Sequence, residues 1–160
     1  MARFWLSLFG IGYLKPGPGT WGSIASTIFW WFSLSSMGMV SQLLIFFIFT
    51  LASTLVCSNF LRNSGLGDES WIVVDEFAAM LLILAFLPRD VFLVLFSLLM
   101  FRLFDIWKPW LVGLVDRKIH GGVGVMLDDL IAALFVLAII LPLIQVVPED
   151  LILSTHGLSQ

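Results

Sequence analysis

Charge is what this chain has least of. Only 12% of its 160 residues are Asp, Glu, Lys or Arg, whereas 60% are hydrophobic, and the mean hydropathy is +1.06. A soluble domain of this length needs a polar exterior, and there is too little polar material here to make one. Lipid is the solvent that the composition fits. A net charge of −3 is too mild to direct the chain to nucleic acid or to an acidic partner. Cysteine is nearly absent as well: Cys57 stands alone, which excludes an internal disulfide and a thiolate cage. Its place in the apolar run 51–61 suits a small buried hydrophobe. With two histidines in the whole chain, a zinc site is short of ligands.

Several signatures of phosphate chemistry are also missing. Four residues separate Cys57 from Arg62, not the five of a cysteine-phosphatase loop, and no histidine precedes the cysteine. There is no Asp-x-Asp phosphotransferase motif and no Ser-Gly-His of the metal-independent membrane lipid phosphatases. Nor does Asp105 open the Asp-Gly-x-x-Ala-Arg pattern of CDP-alcohol transferases.

What is present is a series of apolar segments. Five could cross a hydrocarbon core that needs about 20 apolar residues: 20–37, 41–60, 71–87, 91–110 and 127–147. Thr20 or Ser23 is the expected N-cap of the first. Residues 1–15 precede the bundle as an interfacial segment, its apolar part at 3–12 placing Trp5 and Phe9 at headgroup depth. Residues 148–160 form a short tail. The reading is one all-α, membrane-embedded domain over 1–160 with about five transmembrane helices. Alternating the connections gathers Arg3, Lys15, Arg62, Arg117 and Lys118 on one side, with Lys108 at a helix end, and leaves only Arg89 on the other. The positive-inside rule then predicts N-in, C-out.

That topology has a consequence for the acids. Eight of the 11 acidic residues, Asp68, Glu69, Asp75, Glu76, Asp105, Asp116, Asp128 and Asp129, fall at the cytoplasmic ends. Ionisable groups inside a span are costly, so they face the bundle interior and mark a site. Arg102 and Asp105 are three apart and share a helix face, with Lys108 one turn on. Arg102 fits a structural ion pair as well as a functional cation. Asp105 is read as functional, because other carboxylates enter the same layer. Either acidic pair alone, Asp75-Glu76 or Asp128-Asp129, would fit complementation of a helix dipole. Adjacent helical residues diverge by about 100°, so one ligand per pair is expected. Carboxylates suit a hard cation such as Mg2+. His120-Gly121-Gly122-Val123-Gly124, after Arg117-Lys118, and Pro18-Gly19-Thr20-Trp21-Gly22-Ser23 each offer glycines and a helix start to an anion; singly, each also fits a flexible turn. His120 fits a general acid or phosphate donor, and equally a hydrogen-bonding loop histidine. Together these residues point to a phosphate and a divalent metal at a membrane surface.

Pro18-Gly19-Thr20-x-Gly22-Ser23, Asp75-Glu76-Phe77, Phe101-Arg102-x-x-Asp105-x-Trp107-Lys108-Pro109-Trp110 and Asp116-Arg117-x-x-His120-Gly121-Gly122-x-Gly124-x-Met126-x-Asp128-Asp129 resemble the bacterial phosphatidylglycerophosphatase A family over about residues 12–135. A departure is Ala78-Ala79, where a glycine-containing variant is also expected. The resemblance implies an all-helical, multi-pass protein of the bacterial cytoplasmic membrane. It implies Mg2+-dependent hydrolysis of phosphatidylglycerophosphate to phosphatidylglycerol in phospholipid synthesis, with no nucleic-acid partner. On this reading Asp75, Glu76, Asp105, Asp128 and Asp129 are the candidate metal ligands. Asp105, Asp129, Arg102, Lys108 and His120 are the candidate catalytic residues. Thr20, Ser23, Arg117, Gly121 and Gly122 are the candidate substrate contacts. The competing class is a small transporter or channel lined by Arg102 and Asp105. It predicts polar residues along the full depth of several helices, and the outer half of these is almost uniformly apolar.

Overall fold

The structure is a computed structural model and describes residues 1–67, 69–107, 119 and 121–146. Among them there is no strand. The helices are α1 (Ala2–Leu6), α2 (Pro18–Phe29), α3 (Met39–Ser64), α4 (Val74–Leu84), α5 (Val91–Trp107) and α6 (Gly122–Val146), with a single 3₁₀ turn at Ile11–Tyr13.

The start of α2 differs from the expectation. Its N-cap is Gly17 at φ +68, followed by Pro18, whose missing N–H and fixed φ suit the first helical position. The expected caps lie inside the helix, where Ser23 Oγ donates back to the Gly19 carbonyl at 2.9 Å. At its other end α2 runs into a π-helical turn, Trp30–Leu34, closed by Ser35 N–H to Trp30 O at 2.8 Å. Trp30 is fully buried there, and its Nε1 donates to Gln42 Oε1 at 2.7 Å. A buried indole N–H without such an acceptor would cost about 1–3 kcal/mol.

α3 and α6 are long and apolar enough to cross a bilayer. The 26 residues of α3 extend about 39 Å. Only 22% of its apolar window is buried, and Leu44, Phe47, Ile48, Leu51 and Leu55 form an exposed stripe. Such a patch is untenable in water and ordinary in lipid. Gly65 ends the helix at φ +66, the left-handed conformation that glycine adopts without a Cβ penalty.

α4 is the opposite kind of helix. Nine of its 11 residues are buried, and it reaches about 16 Å, half a hydrocarbon core. The expected segment 71–87 is therefore a short helix with tight turns at both ends, Ile72 N–H to Glu69 O and Leu87 N–H to Leu84 O. It sits at the centre of the bundle, with α6 and α2 as its largest neighbours. Small side chains let the backbones approach: Ala78 and Ala79 on α4, and Ala132 and Ala133 on α6, are all fully buried.

The N-terminal segment is tied into the bundle through the half-buried Trp5. Its Nε1 donates to Ser53 Oγ, midway along α3, at 3.1 Å, because a fully buried hydroxyl needs a partner. Leu6 is fully buried and its carbonyl accepts from Val73 N–H at 3.0 Å, which ties the segment to the entry of α4.

The helices alternate in direction. α2 and α4 start at one end and run together, joined by Ser26 Oγ to Phe77 O at 2.9 Å. At the opposite end Arg89 lies 4.9 Å over the Trp31 ring, and Asp90 Oδ1 caps α5 by accepting from Leu93 N–H at 2.8 Å. α6 begins against the last turns of α3, where a Cβ on Gly122 would collide with the Ser58 backbone. Gly122→Ala should therefore cost about 1–3 kcal/mol and lower the midpoint of thermal unfolding in detergent. Gly38→Ala, with open space around it, should leave the midpoint in place.

Candidate active site

Five stretches of chain meet at the end where α2, α4 and α6 begin and α5 finishes. They enclose a cavity of about 230 Å3 lined by Gly17, Pro18, Gly19, Glu69, Ser70, Ile72, Asp75, Glu76, Arg102, Asp105, Asp128 and Asp129. Each contribution follows from local structure. Asp75 and Glu76 occupy the first turn of α4. Arg102 and Asp105 share a face near the end of α5, and Asp128 and Asp129 stand two turns into α6. The Pro18 start of α2 brings Gly17 and Gly19 to the rim.

One carboxylate oxygen from each of Asp75, Glu76 and Asp129 lies within 4.8 Å of the other two. Unit charges at that spacing repel by about 3.5 kcal/mol per pair at an effective dielectric of about 20. Among the described residues the lining holds six carboxyl groups (Glu69, Asp75, Glu76, Asp105, Asp128, Asp129) and one guanidinium, Arg102. Arg102 Nη1 lies 2.7 Å from Asp105 Oδ2 and 3.7 Å from Glu76 Oε1. These approaches are ion pairs without a formed hydrogen bond, since Nη1, with Nε and Glu76 Oε2, is buried and has no hydrogen-bond partner. Buried polar atoms are rarely left so. The cup thus presents one carboxylate oxygen, Glu76 Oε2, and one guanidinium nitrogen, Arg102 Nε, without a partner, while Nη1 is engaged by two carboxylates.

The adjacent pairs divide unequally. Asp129 joins the trio while Asp128 Oδ1 accepts from the Asp129 N–H at 3.1 Å, as the angular argument expects. In the other pair Asp75 Oδ1 likewise accepts from Glu76 N–H at 3.0 Å, yet both carboxylates reach the trio. The extra methylene of Glu76 lets it turn back toward its neighbour. Gly19 makes room for that turn: a Cβ there would collide with Glu76 Oε1 and stand 2.9 Å from Arg102 Nη1.

The structure thus brings together Asp75, Glu76, Arg102, Asp105, Asp128 and Asp129. Thr20, Ser23, Gly121 and Gly122 do not line the cavity; Ser23 is buried within α2 and Gly122 packs on α3. Lys108, Arg117 and His120 lie outside the described residues, as do Asp68, Asp116 and Lys118. Sequence reasoning gave no role to Ser70 or Ile72. Glu69 was legible only as one acid of a charged face.

A family model described as Phosphatidylglycerophosphatase A matches residues 4–144. The chain is 36% identical over 137 residues to phosphatidylglycerophosphatase A of Haemophilus influenzae, covering 82% of each. Against phosphatidylglycerophosphatase A of Escherichia coli K12 it is 34% identical over 125 residues, 78% of this chain and 72% of the relative. A putative phosphatidylinositol-3-phosphatase of Bacteroides thetaiotaomicron is 32% identical over 134 residues, 79% of this chain and 83% of the relative. No solved structure matches the chain.

Removing the guanidinium should expose the repulsion it offsets. Arg102→Met is expected to lower stability by about 3–5 kcal/mol in buffer free of divalent cations. Adding Glu76→Gln should recover part of that loss. A thermal-unfolding double-mutant cycle in detergent reads the coupling, and additive effects would show that Arg102 does not hold the acids together.

Proposed function

The chain belongs to the phosphatidylglycerophosphatase A family, and from that premise we propose that it hydrolyses the terminal phosphomonoester of phosphatidylglycerophosphate to phosphatidylglycerol and inorganic phosphate, with Mg2+ in the carboxylate cup. The observation that carries this reading is the trio of oxygens from buried Asp75 and Asp129 and half-buried Glu76 beside Arg102. The residues fit the metal: the donors are all carboxylate, the choice of a hard cation, and Glu76 Oε2 is buried without a partner. Asp75, Glu76 and Asp129 would hold the ion, with Asp105 and Asp128 flanking them. Bound there, Mg2+ would supply Lewis-acid neutralisation of phosphoryl oxygens.

The chain's own groups supply the rest. Arg102 is placed to hold the phosphoryl group through its unpartnered Nε and to offset the charge that grows on it. Asp105, 2.7 Å from Arg102 Nη1, is placed to accept the proton of the attacking water. Gly17 and Gly19 let backbone N–H groups at the start of α2 come close to the anion. Lys108, Arg117 and His120, chosen from the sequence, are proposed to add positive charge or a proton for the departing glycerol oxygen. Lining a transport path would require polar groups deeper in the bundle, and from Phe77 to Leu84 α4 is apolar and, Leu82 apart, buried.

Phosphate release by the purified protein in detergent micelles, with mass spectrometry of the lipids, tests the reading. Phosphatidylglycerophosphate should react faster than phosphatidic acid or phosphatidylinositol 3-phosphate. EDTA should abolish turnover and Mg2+ restore it. Asp105→Asn, Asp129→Asn and Glu76→Gln should each lose more than about a hundredfold. Full activity in excess EDTA would remove the metal, and a faster competing lipid would remove the substrate.

We further propose five membrane segments in the bacterial cytoplasmic membrane, N-in and C-out, with the cup on the cytoplasmic face. The lysine and arginine asymmetry and the alternating helix directions support it. In a Cys57→Ser background, Ser64→Cys should be shielded from impermeant thiol reagents in intact cells, and Gly38→Cys labelled. The reverse pattern would invert the topology.

A further inference from the structure

A second cavity, of about 420 Å3, runs along the same two helices that open the cup. It is almost wholly apolar, and Phe9, Ala25, Phe29, Phe49, Phe77 and Leu81 are among the residues that wall it. Its relation to the cup follows from residue number. On α4, Glu76 lines the cup and the next residue, Phe77, lines the groove. On α2, Gly19 stands at the cup, while Ala25 and Phe29 stand about 9 and 15 Å further along the helix. The groove therefore starts at the next residue of α4 and extends along both helices away from the cup, and the two share no lining residue. Its inner wall is a run of rings: Phe49 and Phe29 lie 5.0 and 5.9 Å from Phe77.

The outer wall is held in place at a cost. Leu8 and Phe9 adopt φ +48 and +58, a left-handed conformation that non-glycine residues avoid. That hook turns Leu8 inward, where it is buried, and leaves Phe9 exposed at the groove's edge. Simple coverage of α3 would not need the chain to be bent this way. At roughly 30 Å3 per water-sized group, the space admits a chain of about fourteen such groups.

Resting on the lipid-phosphatase reading above, we infer that this groove is the seat of one acyl chain of the phospholipid substrate, so that the headgroup phosphate enters the cup while the chain lies between Phe9 and the Phe29–Phe49–Phe77 wall. The seat makes the acyl chain part of the catalytic geometry: it fixes how far along α2 and α4 the phosphate can stand, and so contributes to reaction as well as to binding.

The test compares long-chain phosphatidylglycerophosphate with its dihexanoyl analogue. Ala25→Phe fills the groove without touching the cup. It should lower kcat/KM for the long-chain lipid by roughly tenfold or more, leave the dihexanoyl substrate unchanged, and leave Ile48→Phe, on the exposed stripe of α3, as a silent control. Equal effects on both substrates, or none on either, would overturn the seat while leaving the phosphatase reading intact. A wild-type protein that hydrolyses neither lipid would instead overturn the phosphatase reading. Should Ala25→Phe fail to fold, photolabelling of the wild-type protein decides the matter. A substrate carrying a diazirine midway along one acyl chain should label peptides containing residues 25–29 and 77–81, and excess unlabelled substrate should suppress that labelling. Labelling that misses 25–29 and 77–81, or that excess unlabelled substrate does not suppress, would show bulk lipid only.

Discussion

One guanidinium among six carboxyl groups sets the terms for this molecule. Arg102 reaches Asp105 on its own helix and Glu76 on α4, so it joins the helix that arrives at the cup to the one that departs from it. Without it, the buried acids of α4 and α6 would repel one another across less than 5 Å in surroundings that screen poorly. Among the described residues the lining holds more carboxyl groups than cations. Burying acids beyond what the local cation offsets is costly, and arrangements of that kind persist where they do chemistry.

The apolar frame makes that arrangement tolerable. α3 and α6 present long greasy faces outward, and their exposed side chains need no partner in lipid. The inward faces instead surround α4, whose backbone N–H and C=O groups are satisfied within the helix and its terminal turns. Alanines at the α4–α6 contact, and Gly122 against Ser58, bring backbones together where larger side chains would hold them apart. Close approach at the bundle's centre fixes where the first turn of α4 points, and with it Asp75 and Glu76.

Much of this was legible in the residues. Hydropathy marked the helices, and the spacing of Arg102 and Asp105 placed both on one face. The acids at the starts of the third and fifth segments pointed to a shared layer, and the cavity does gather Asp75, Glu76, Asp128 and Asp129 with Arg102 and Asp105. What could not be read was whatever depends on how helices sit against one another. Thr20 and Ser23 look like caps until Pro18 takes the first helical position. That Trp5 would reach Ser53 on α3 has no signal in the sequence. Glu76 looks angularly excluded until its longer side chain and the bare Gly19 backbone are placed together. Ser70 and Ile72 carry no pattern at all; they reach the cup because the loop before α4 folds back over it.

The shortness of α4 bears on how such a protein is made. Eleven residues are too few to hold a place in a bilayer by hydrophobicity alone, and the largest single neighbour of this helix is α6, the last helix described. During synthesis the earlier segments emerge first, so α4 has no complete set of neighbours until the ribosome has passed residue 140 or so. The cup cannot be complete before α6 is made, and a chain interrupted before that point would hold Asp75 and Glu76 without Asp128 and Asp129.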